Sequence, residues 1–181
     1  MANRGFFARH GIIKRNAIKK DMLYFAIPGV FFFTAGLVVS GLDRFWSTVW
    51  SLIRHPQSLF MLPVLTISGL AMIFTGLTIM LVAQITLWKY YSATLVIRED
   101  HKLITHGIYR FVRNPIYLGG IIAVMGIPVY CSSPYGLLTM SALIPIILNR
   151  IRMEEKLLTE EFGDKHRAYK EAVSKLIPFI Y

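Results

Sequence analysis

Several features of soluble enzymes are absent from this sequence. Its 181 residues contain one cysteine, Cys131, so an internal disulfide is excluded. There is no G-x-G-x-x-G, P-loop or H-E-x-x-H motif, and no two of the five histidines stand four positions apart. Soluble nucleotide-binding folds and zinc sites therefore have no support. Charge is also scarce: 17% of the residues are charged and 55% are hydrophobic, a composition that favours a membrane protein.

The positive charge that is present, a net +10, is confined to particular segments. Residues 1–20 carry six basic residues and no acid, a second basic group runs from Lys89 to Arg113, and the stretches between them are nearly uncharged. Basic loops that alternate with apolar runs are typical of membrane proteins, whereas a nucleic-acid-binding protein carries its cations on one exposed face. We therefore expect the lipid bilayer as a partner, and neither a nucleic acid nor a metal.

Four apolar runs predict four membrane-spanning helices. They extend from Met22 to Gly41, from Leu59 to Tyr91, from Ile116 to Tyr130 and from Tyr135 to Leu148. The first two reach the roughly 20 residues that a bilayer-crossing helix needs. The last two are shorter, and because a Cys131–Pro134 turn separates them they are predicted to form a helical hairpin.

The segments around these runs have predicted roles as well. The aromatic-rich Asp43–Ser58 stretch is expected to form a short interfacial helix or loop. Pro128 and Pro145 are expected to kink the two hairpin arms. A charged, amphipathic helix is predicted after Leu148, ending near Phe162.

The distribution of Lys and Arg predicts the topology. Six precede the first span, two lie between the first two spans, five lie from Lys89 to Arg113 and seven follow Leu148, which places both termini and the central loop in the cytoplasm. A signal peptide is the alternative for the N-terminal run, but its length and the lack of an A-x-A site favour a retained anchor. We expect residues 1–91 to hold the basic segment and two spans, and residues 92–181 to hold the catalytic region.

A polar stretch from His101 to Gly120 is wedged between two predicted spans. Its distinctive members are a glycine suited to a turn, an aromatic residue, two cations and a helix-initiating pair: Gly107, Tyr109, Arg110, Arg113 and Asn114–Pro115. Such a loop could hold a polar ligand at a helix N-terminus, where free N–H groups favour a carboxylate. It could equally be a juxtamembrane loop that contacts anionic lipid headgroups.

A second group of charges lies where the last span ends. Arg150 and Glu154 are four positions apart, so on a helix they share a face. They could form a surface ion pair of small energetic value. Charges this close to an apolar span are costly to desolvate, which supports equally a position beside a ligand cavity.

Together these two groups resemble the isoprenylcysteine carboxyl methyltransferase family, within a broader group that includes phospholipid N-methyltransferases. The shared pattern is H-x-L-[VI]-x-x-G-x-Y-x-x-x-R-x-P-x-Y, a hydrophobic hairpin, and R-x-x-x-E-E-x-x-L followed by F-G and a tyrosine. Here it reads His101, Leu103, Ile104, Gly107, Tyr109, Arg113, Pro115, Tyr117, then Arg150, Glu154, Glu155, Leu158, Phe162, Gly163 and Tyr169. The resemblance covers Tyr90 to Phe179, about half of the chain.

The resemblance implies an all-α integral membrane bundle of about four spans, with a C-terminal helical hairpin and cytoplasmic segments that bind S-adenosylmethionine. The residues implied or predicted to bind this cofactor are His101, Lys102, Leu103, Ile104, Tyr109, Arg113, Asn114, Pro115, Ile116, Tyr117, Glu154 and Glu155. Arg150 would face the methyl acceptor and, with Glu154, form the catalytic pair. Many members have His before the proline; Asn114 can hydrogen-bond but cannot carry a positive charge.

The implied reaction is methyl transfer from S-adenosylmethionine to a lipophilic acceptor, and a prenylated cysteine carboxylate is the first hypothesis. Arg150 could orient a carboxylate bidentately while Glu154 balances cationic charge. A lipid amine would need a base, for which Glu154 or Glu155 is available, and a thiol is a further alternative. Two other hypotheses are an NADPH-dependent sterol-type reductase and a lipid-binding membrane scaffold without turnover.

Overall fold

The computed structural model of the protein describes residues 22–54, 62–87 and 103–178. All regular elements in these ranges are helical, as predicted. They are α1 (Ile27–Arg54, which continues a π-helical turn at Met22–Ala26), α2 (Leu62–Leu87), a 3₁₀ turn at Gly107–Arg110, α3 (Pro115–Tyr130), α4 (Pro134–Ser141), α5 (Leu143–Phe162) and α6 (Asp164–Ala172).

Three stretches are long and apolar enough to cross a membrane: Tyr24–Val49, Val64–Leu87 and Pro134–Phe162. Helix α3 has 16 residues, about 24 Å, which is shorter than the ~30 Å hydrocarbon core. Large apolar side chains on α1 and α2, such as Phe31 and Phe74, are 63% and 67% exposed, as expected for surfaces that face lipid. The count of four spans stays a prediction.

Two predicted boundaries are wrong. The first helix does not end at Gly41 but continues to Arg54, so the expected interfacial segment is the C-terminal part of α1 up to that residue. No proline interrupts these residues, and Asp43 is accommodated because Ser133 donates a hydrogen bond to it (2.7 Å).

The second hairpin arm is not one helix, because it breaks at Ala142 between α4 and α5. Pro145 explains the break: it lacks an N–H group, and its ring collides with the carbonyl four residues earlier.

Helices α2 and α3 form the most extensive helix pair, and small residues bring them together. A Cβ atom on Gly76 would lie 2.5 Å from the Ala123 nitrogen, and one on Gly126 would lie 2.8 Å from the Gly69 carbonyl oxygen. The pairing is antiparallel, since the higher-numbered residue of α2 meets the lower-numbered part of α3. Backbones this close favour van der Waals packing within a bilayer.

Helices α1 and α4 also pack antiparallel. Gly36 lies against Met140, and Ser40 lies against Gly136. The turn before α4 is stabilised by its own cap, because Ser133 Oγ accepts a hydrogen bond from Gly136 N (2.9 Å) and Pro134 occupies the first helical position. The two antiparallel pairs bring the beginnings of α1 and α3 to one end of the molecule, where the second half of α5 also lies.

Candidate functional site

The hydroxyl of Tyr117 lies between a cation and an anion of α5. It donates a hydrogen bond to Glu154 Oε2 (2.8 Å) and accepts one from Arg150 Nε (3.2 Å). Both partners reach the same hydroxyl because a four-residue spacing places them on one helix face. The predicted juxtaposition of Arg150 and Glu154 is therefore confirmed, and Tyr117 connects them. We call Tyr117, Arg150 and Glu154 the tyrosine cluster.

The arginine of this cluster is removed from solvent. Arg150 is 3% exposed, and its Cζ atom lies 5.2 Å from the ring centre of Phe25, a residue of the π-helical turn before α1. The face of an aromatic ring attracts a guanidinium, and more strongly where water is excluded. The first described helical turn of the chain therefore covers a charged residue of the last long helix.

A second cluster, the glutamate cluster, is built around Glu155. Its Oε1 atom accepts hydrogen bonds from Arg113 Nε (3.1 Å) and, at a longer distance, from Asn114 Nδ2 (3.4 Å). Lys175 Nζ lies 3.9 Å from Oε2. Because the Arg113 and Glu155 side chains are 10% and 8% exposed, this is a nearly buried ion pair.

The glutamate cluster fixes the chain after α6 to the loop before α3. Arg113 Nη1 donates to the carbonyl oxygens of Lys170 and Val173, and Asn114 Nδ2 donates to Lys175 O (3.0 Å). Backbone bonds add to these contacts: Arg113 N donates to Ser174 O (2.9 Å) and Asn114 N donates to Lys175 O (3.2 Å).

Two rings, the half-buried Tyr169 and the buried His166, complete this attachment. Tyr169 of α6 donates a hydrogen bond from its hydroxyl to the backbone oxygen of Tyr109 (2.6 Å), and burial raises the pKa of Tyr169 to about 12.

His166 is 1% exposed, and its Nδ1 lies 2.8 Å from Thr159 Oγ1. Since Thr159 donates its own hydrogen to the Glu155 carbonyl oxygen, it accepts from His166, which assigns the proton to Nδ1. Burial lowers the pKa of His166, against the opposing charge of Glu155.

The N-terminus of α3 faces this region with free backbone donors. Pro115 occupies its first position and has no N–H, and Leu118 is the first residue to find an intrahelical partner, Asn114 O (3.1 Å). The N–H groups of Ile116 and Tyr117 have no backbone partner among the described residues. They lie at the positive end of the helix dipole, where an anionic ligand group is favoured.

The predicted site residues thus fall into several groups. The tyrosine cluster unites Tyr117, Arg150 and Glu154, whereas the side chains of Arg113, Asn114 and Glu155 are bonded to protein groups. Tyr109 and Pro115 are buried, and Leu103, Ile104 and Ile116 are half-buried. His101 and Lys102 lie outside the described residues. All twelve cofactor assignments, and the acceptor role of Arg150, stay predictions.

Sequence reasoning missed Phe25 and Lys175. Phe25 belongs to a uniformly apolar run, in which nothing distinguishes a residue that covers a distant arginine. Lys175 stands in a basic tail and contacts Glu155 only through the tertiary fold. The residues that the structure describes contain no group of three or more His, Cys, Asp or Glu that could hold a metal ion.

Comparison with known families gives one broad match. The family model described as phospholipid methyltransferase matches residues 64–165, more than half of the chain. This range includes all but the first two residues of α2, the whole of α3, α4 and α5, and both clusters except for the contacts after residue 165.

Individual relatives are similar as well. Protein-S-isoprenylcysteine O-methyltransferase A of Arabidopsis thaliana is 33% identical over 115 residues, which cover 62% of this chain and 58% of that protein. Methanethiol S-methyltransferase 1 of Bradyrhizobium diazoefficiens is 33% identical over 138 residues, which cover 74% and 46%. The chain therefore matches less than two thirds of the length of each relative.

A solved structure has the same fold. The eukaryotic intramembrane Ras methyltransferase, isoprenylcysteine carboxyl methyltransferase, superposes with a TM-score of 0.72 at 26% identity, over 82% of this chain and 52% of that one. With the three long apolar helices, this likeness identifies the chain as an all-helical integral membrane protein.

Proposed function

The chain belongs to the phospholipid methyltransferase family, and from this premise we propose that it transfers a methyl group from S-adenosylmethionine to a lipophilic acceptor in the membrane. We propose the carboxylate of an isoprenylated cysteine as the acceptor. The observation that carries the proposal is the tyrosine cluster, in which a buried arginine and a carboxylate are held by one hydroxyl at the end of a lipid-facing bundle. Family membership favours methyl transfer over the reductase and the scaffold.

The chemistry of Arg150 supports an anionic acceptor. The guanidinium of Arg150 is 3% exposed, and a planar guanidinium in such surroundings can bind a carboxylate bidentately. An ammonium headgroup would be repelled by the same charge and would have to lose a proton before it could react. A carboxylate is already nucleophilic, so this site has to orient it rather than activate it.

The donor set also fits S-adenosylmethionine. The cofactor carries a carboxylate, which suits the first-turn N–H groups of α3, and it carries two cationic groups, which suit Glu154. When bound, it supplies an electrophilic methyl group on a sulfonium. The aromatic ring of Tyr109, which is 6% exposed, would give the cofactor an apolar contact.

Phe25 and Tyr117 would keep the reacting groups in place. The Phe25 ring covers Arg150 and excludes water from the guanidinium, which strengthens its attraction for an anion. The Tyr117 hydroxyl fixes the rotamers of Arg150 and Glu154 at once. We place this end of the bundle in the cytoplasm, because the basic segments lie before α1 and between α2 and α3.

A thiol is the second candidate acceptor. The methanethiol methyltransferase matches a longer part of this chain than the plant isoprenylcysteine enzyme does, 138 against 115 residues. A thiolate is also an anion that Arg150 could attract.

The deciding experiment supplies the full chain in lipid nanodiscs with methyl-labelled S-adenosylmethionine and one acceptor at a time. The acceptors are a farnesylated cysteine derivative, its carboxamide, a short alkanethiol and phosphatidylethanolamine. Label should enter the farnesylated acid and leave it as methanol on treatment with base, since only an ester is cleaved. Equal labelling of the carboxamide would contradict the carboxylate proposal, and base-stable label in the thiol would establish the second candidate.

A further inference from the structure

Polar atoms gather at the opposite end of the molecule from the tyrosine cluster. Ser40 Oγ, Arg44 Nη1 and Ser132 Oγ are buried there without a hydrogen-bond partner among the described residues. We call these three residues the far-end cluster. A buried polar atom without a partner destabilises the fold, and more so when it belongs to a charged group. Their concentration in one place therefore indicates a missing partner that they share.

The fold brings the three side chains together. Ser40 and Arg44 are four positions apart on α1, so they share a helix face. Ser40 packs against Gly136 in the first turn of α4, and Ser133 bonds to Asp43, so this face of α1 lies along the turn between α3 and α4. Ser132 lies in that turn with a positive φ of 53°, which is uncommon for a residue other than glycine.

From helix length, we expect the far-end cluster at the depth of lipid headgroups. Arg44 follows Phe25 by 19 positions on a continuous helical path, which is ~28 Å and close to the ~30 Å thickness of a hydrocarbon core. Phe25 covers the tyrosine cluster at one membrane face. Arg44 therefore reaches the other face, beside the end of the short helix α3.

The charges at this end favour an anion. Asp43, the acid next to Arg44, already accepts a hydrogen bond from Ser133 (2.7 Å). Arg44 forms no ion pair with any residue in the described part of the chain. A guanidinium and two hydroxyls together form a donor set that suits the oxygens of a phosphate.

We propose that Ser40, Arg44 and Ser132 bind a phosphate group, supplied by a phospholipid of the leaflet opposite the tyrosine cluster. The site is independent of the proposed methyl transfer. Arg44 and Ser132 are half-buried as residues, so a phosphate can approach from their exposed side. Once their buried donors turn towards it, its oxygens would accept hydrogen bonds from Arg44 and the serine hydroxyls. It also fastens the lipid to the turn that joins α3 and α4.

The test measures thermal unfolding of the purified full chain in detergent, with one additive at a time. The additives are phosphatidylglycerol, phosphatidylcholine, diacylglycerol and inorganic phosphate. Bound lipid is counted by native mass spectrometry. The variants are Arg44→Gln, Ser132→Ala and Ser40→Ala, and Arg167→Gln is the matched control because that arginine is exposed and paired with Asp164 at the surface.

Both phospholipids should raise the unfolding temperature and be retained in the mass spectrum, while diacylglycerol should do neither. Arg44→Gln should weaken retention by about tenfold, the loss expected for a hydrogen bond to a charged group. Arg167→Gln should leave it unchanged. If inorganic phosphate alone reproduces the shift, the phosphate chemistry stands with a free anion as its source.

Two results would overturn the proposal: stabilisation by diacylglycerol equal to that by phospholipid, or full phospholipid retention by Arg44→Gln. If Arg44→Gln does not fold, Ser132→Ala decides the matter. This variant removes one small hydroxyl from a turn, and it should still lose phospholipid relative to Arg167→Gln. Unchanged retention in Ser132→Ala would then reject the site.

Discussion

Tyr117 and Glu154 lie 37 positions apart in the chain and are joined by a hydrogen bond of 2.8 Å. The same hydroxyl accepts a hydrogen bond from Arg150, so its donor and one of its acceptor positions are both used. The Tyr117 hydroxyl therefore sets the distance between Arg150, which we assign to the methyl acceptor, and Glu154, which we assign to the cofactor.

Tyr117→Phe removes this link and keeps the ring. We expect kcat/KM for the methyl acceptor to fall by about 10- to 100-fold, the equivalent of 1.5–3 kcal/mol for hydrogen bonds to charged groups. Tyr24→Phe is the control, because Tyr24 is 56% exposed in the π-helical turn before α1. Steady-state kinetics on both variants give the comparison, and equal values would remove Tyr117 from the site.

Substitutions of Arg150 and Glu154 should have different effects. Glu154→Gln weakens S-adenosylmethionine binding, because the cationic cofactor loses its counter-charge. Arg150→Ala lowers turnover chiefly and leaves cofactor affinity close to that of the wild type. Calorimetric titration of the cofactor, combined with single-turnover rates, separates the two effects. Unchanged kinetics in both variants would refute the assignment.

Glu155 should matter for stability more than for binding. Glu155→Gln leaves Arg113 nearly buried without an anion, and we expect a loss of about 3–5 kcal/mol in the free energy of unfolding. Asp164→Asn breaks the exposed Arg167–Asp164 pair and should cost less than about 1 kcal/mol. Titration with SDS in mixed micelles measures both, and similar losses would show that the glutamate cluster does not stabilise the fold.

The contact between α2 and α3 should reject even a methyl group. Gly76→Ala places a Cβ atom 2.5 Å from the Ala123 nitrogen, and we expect about 1–3 kcal/mol of destabilisation. Gly41→Ala meets no atom within 4 Å and should be neutral or stabilise α1 by up to about 1 kcal/mol. In the same unfolding assay, the free energy of unfolding should fall in Gly76→Ala and should stay equal or rise in Gly41→Ala.

His166 should make stability depend on pH. Burial lowers the pKa of its imidazole below the usual value of about 6.5, so the unfolded chain binds a proton more readily than the folded one. The stability from this group is complete above pH ~6.5 and is lost as the pH falls towards the lower, folded pKa. His166→Gln should flatten the profile of the free energy of unfolding below pH ~6.5, and a profile as steep as that of the wild type would contradict the assignment.

The sequence predicts local structure well wherever periodicity or turn chemistry carries it. Helix α3 begins at Pro115, one residue before the predicted start, and ends at the predicted Tyr130. Helix α5 ends at Phe162 as expected. The four-residue spacing of Arg150 and Glu154 correctly predicted that they share a helix face, where both bond to Tyr117.

Features that depend on contacts between distant segments could not be predicted. The continuation of α1 past Gly41 carries Asp43 to a serine 90 positions away. The Phe25 ring covers Arg150, although no local pattern distinguishes it from the other phenylalanines of its run. Arg113, Asn114 and Glu155 resemble ligand-binding residues in sequence, yet their side chains hold the C-terminal segment. These contacts depend on the position of Lys175, and the predicted cofactor contacts of the three residues stay predictions.

The contact between Phe25 and Arg150 also bears on the order in which the protein assembles. During synthesis the π-helical turn, α1 and α3 leave the ribosome before α5 does. Helix α5 carries two arginines, one lysine and four glutamates, and a helix with such charges partitions poorly into lipid by itself. Here the ring and the phenol that receive its charges are already in the membrane when it arrives. We therefore expect the earlier helices to assist insertion of α5, and the tyrosine cluster to be complete only once α5 is in place.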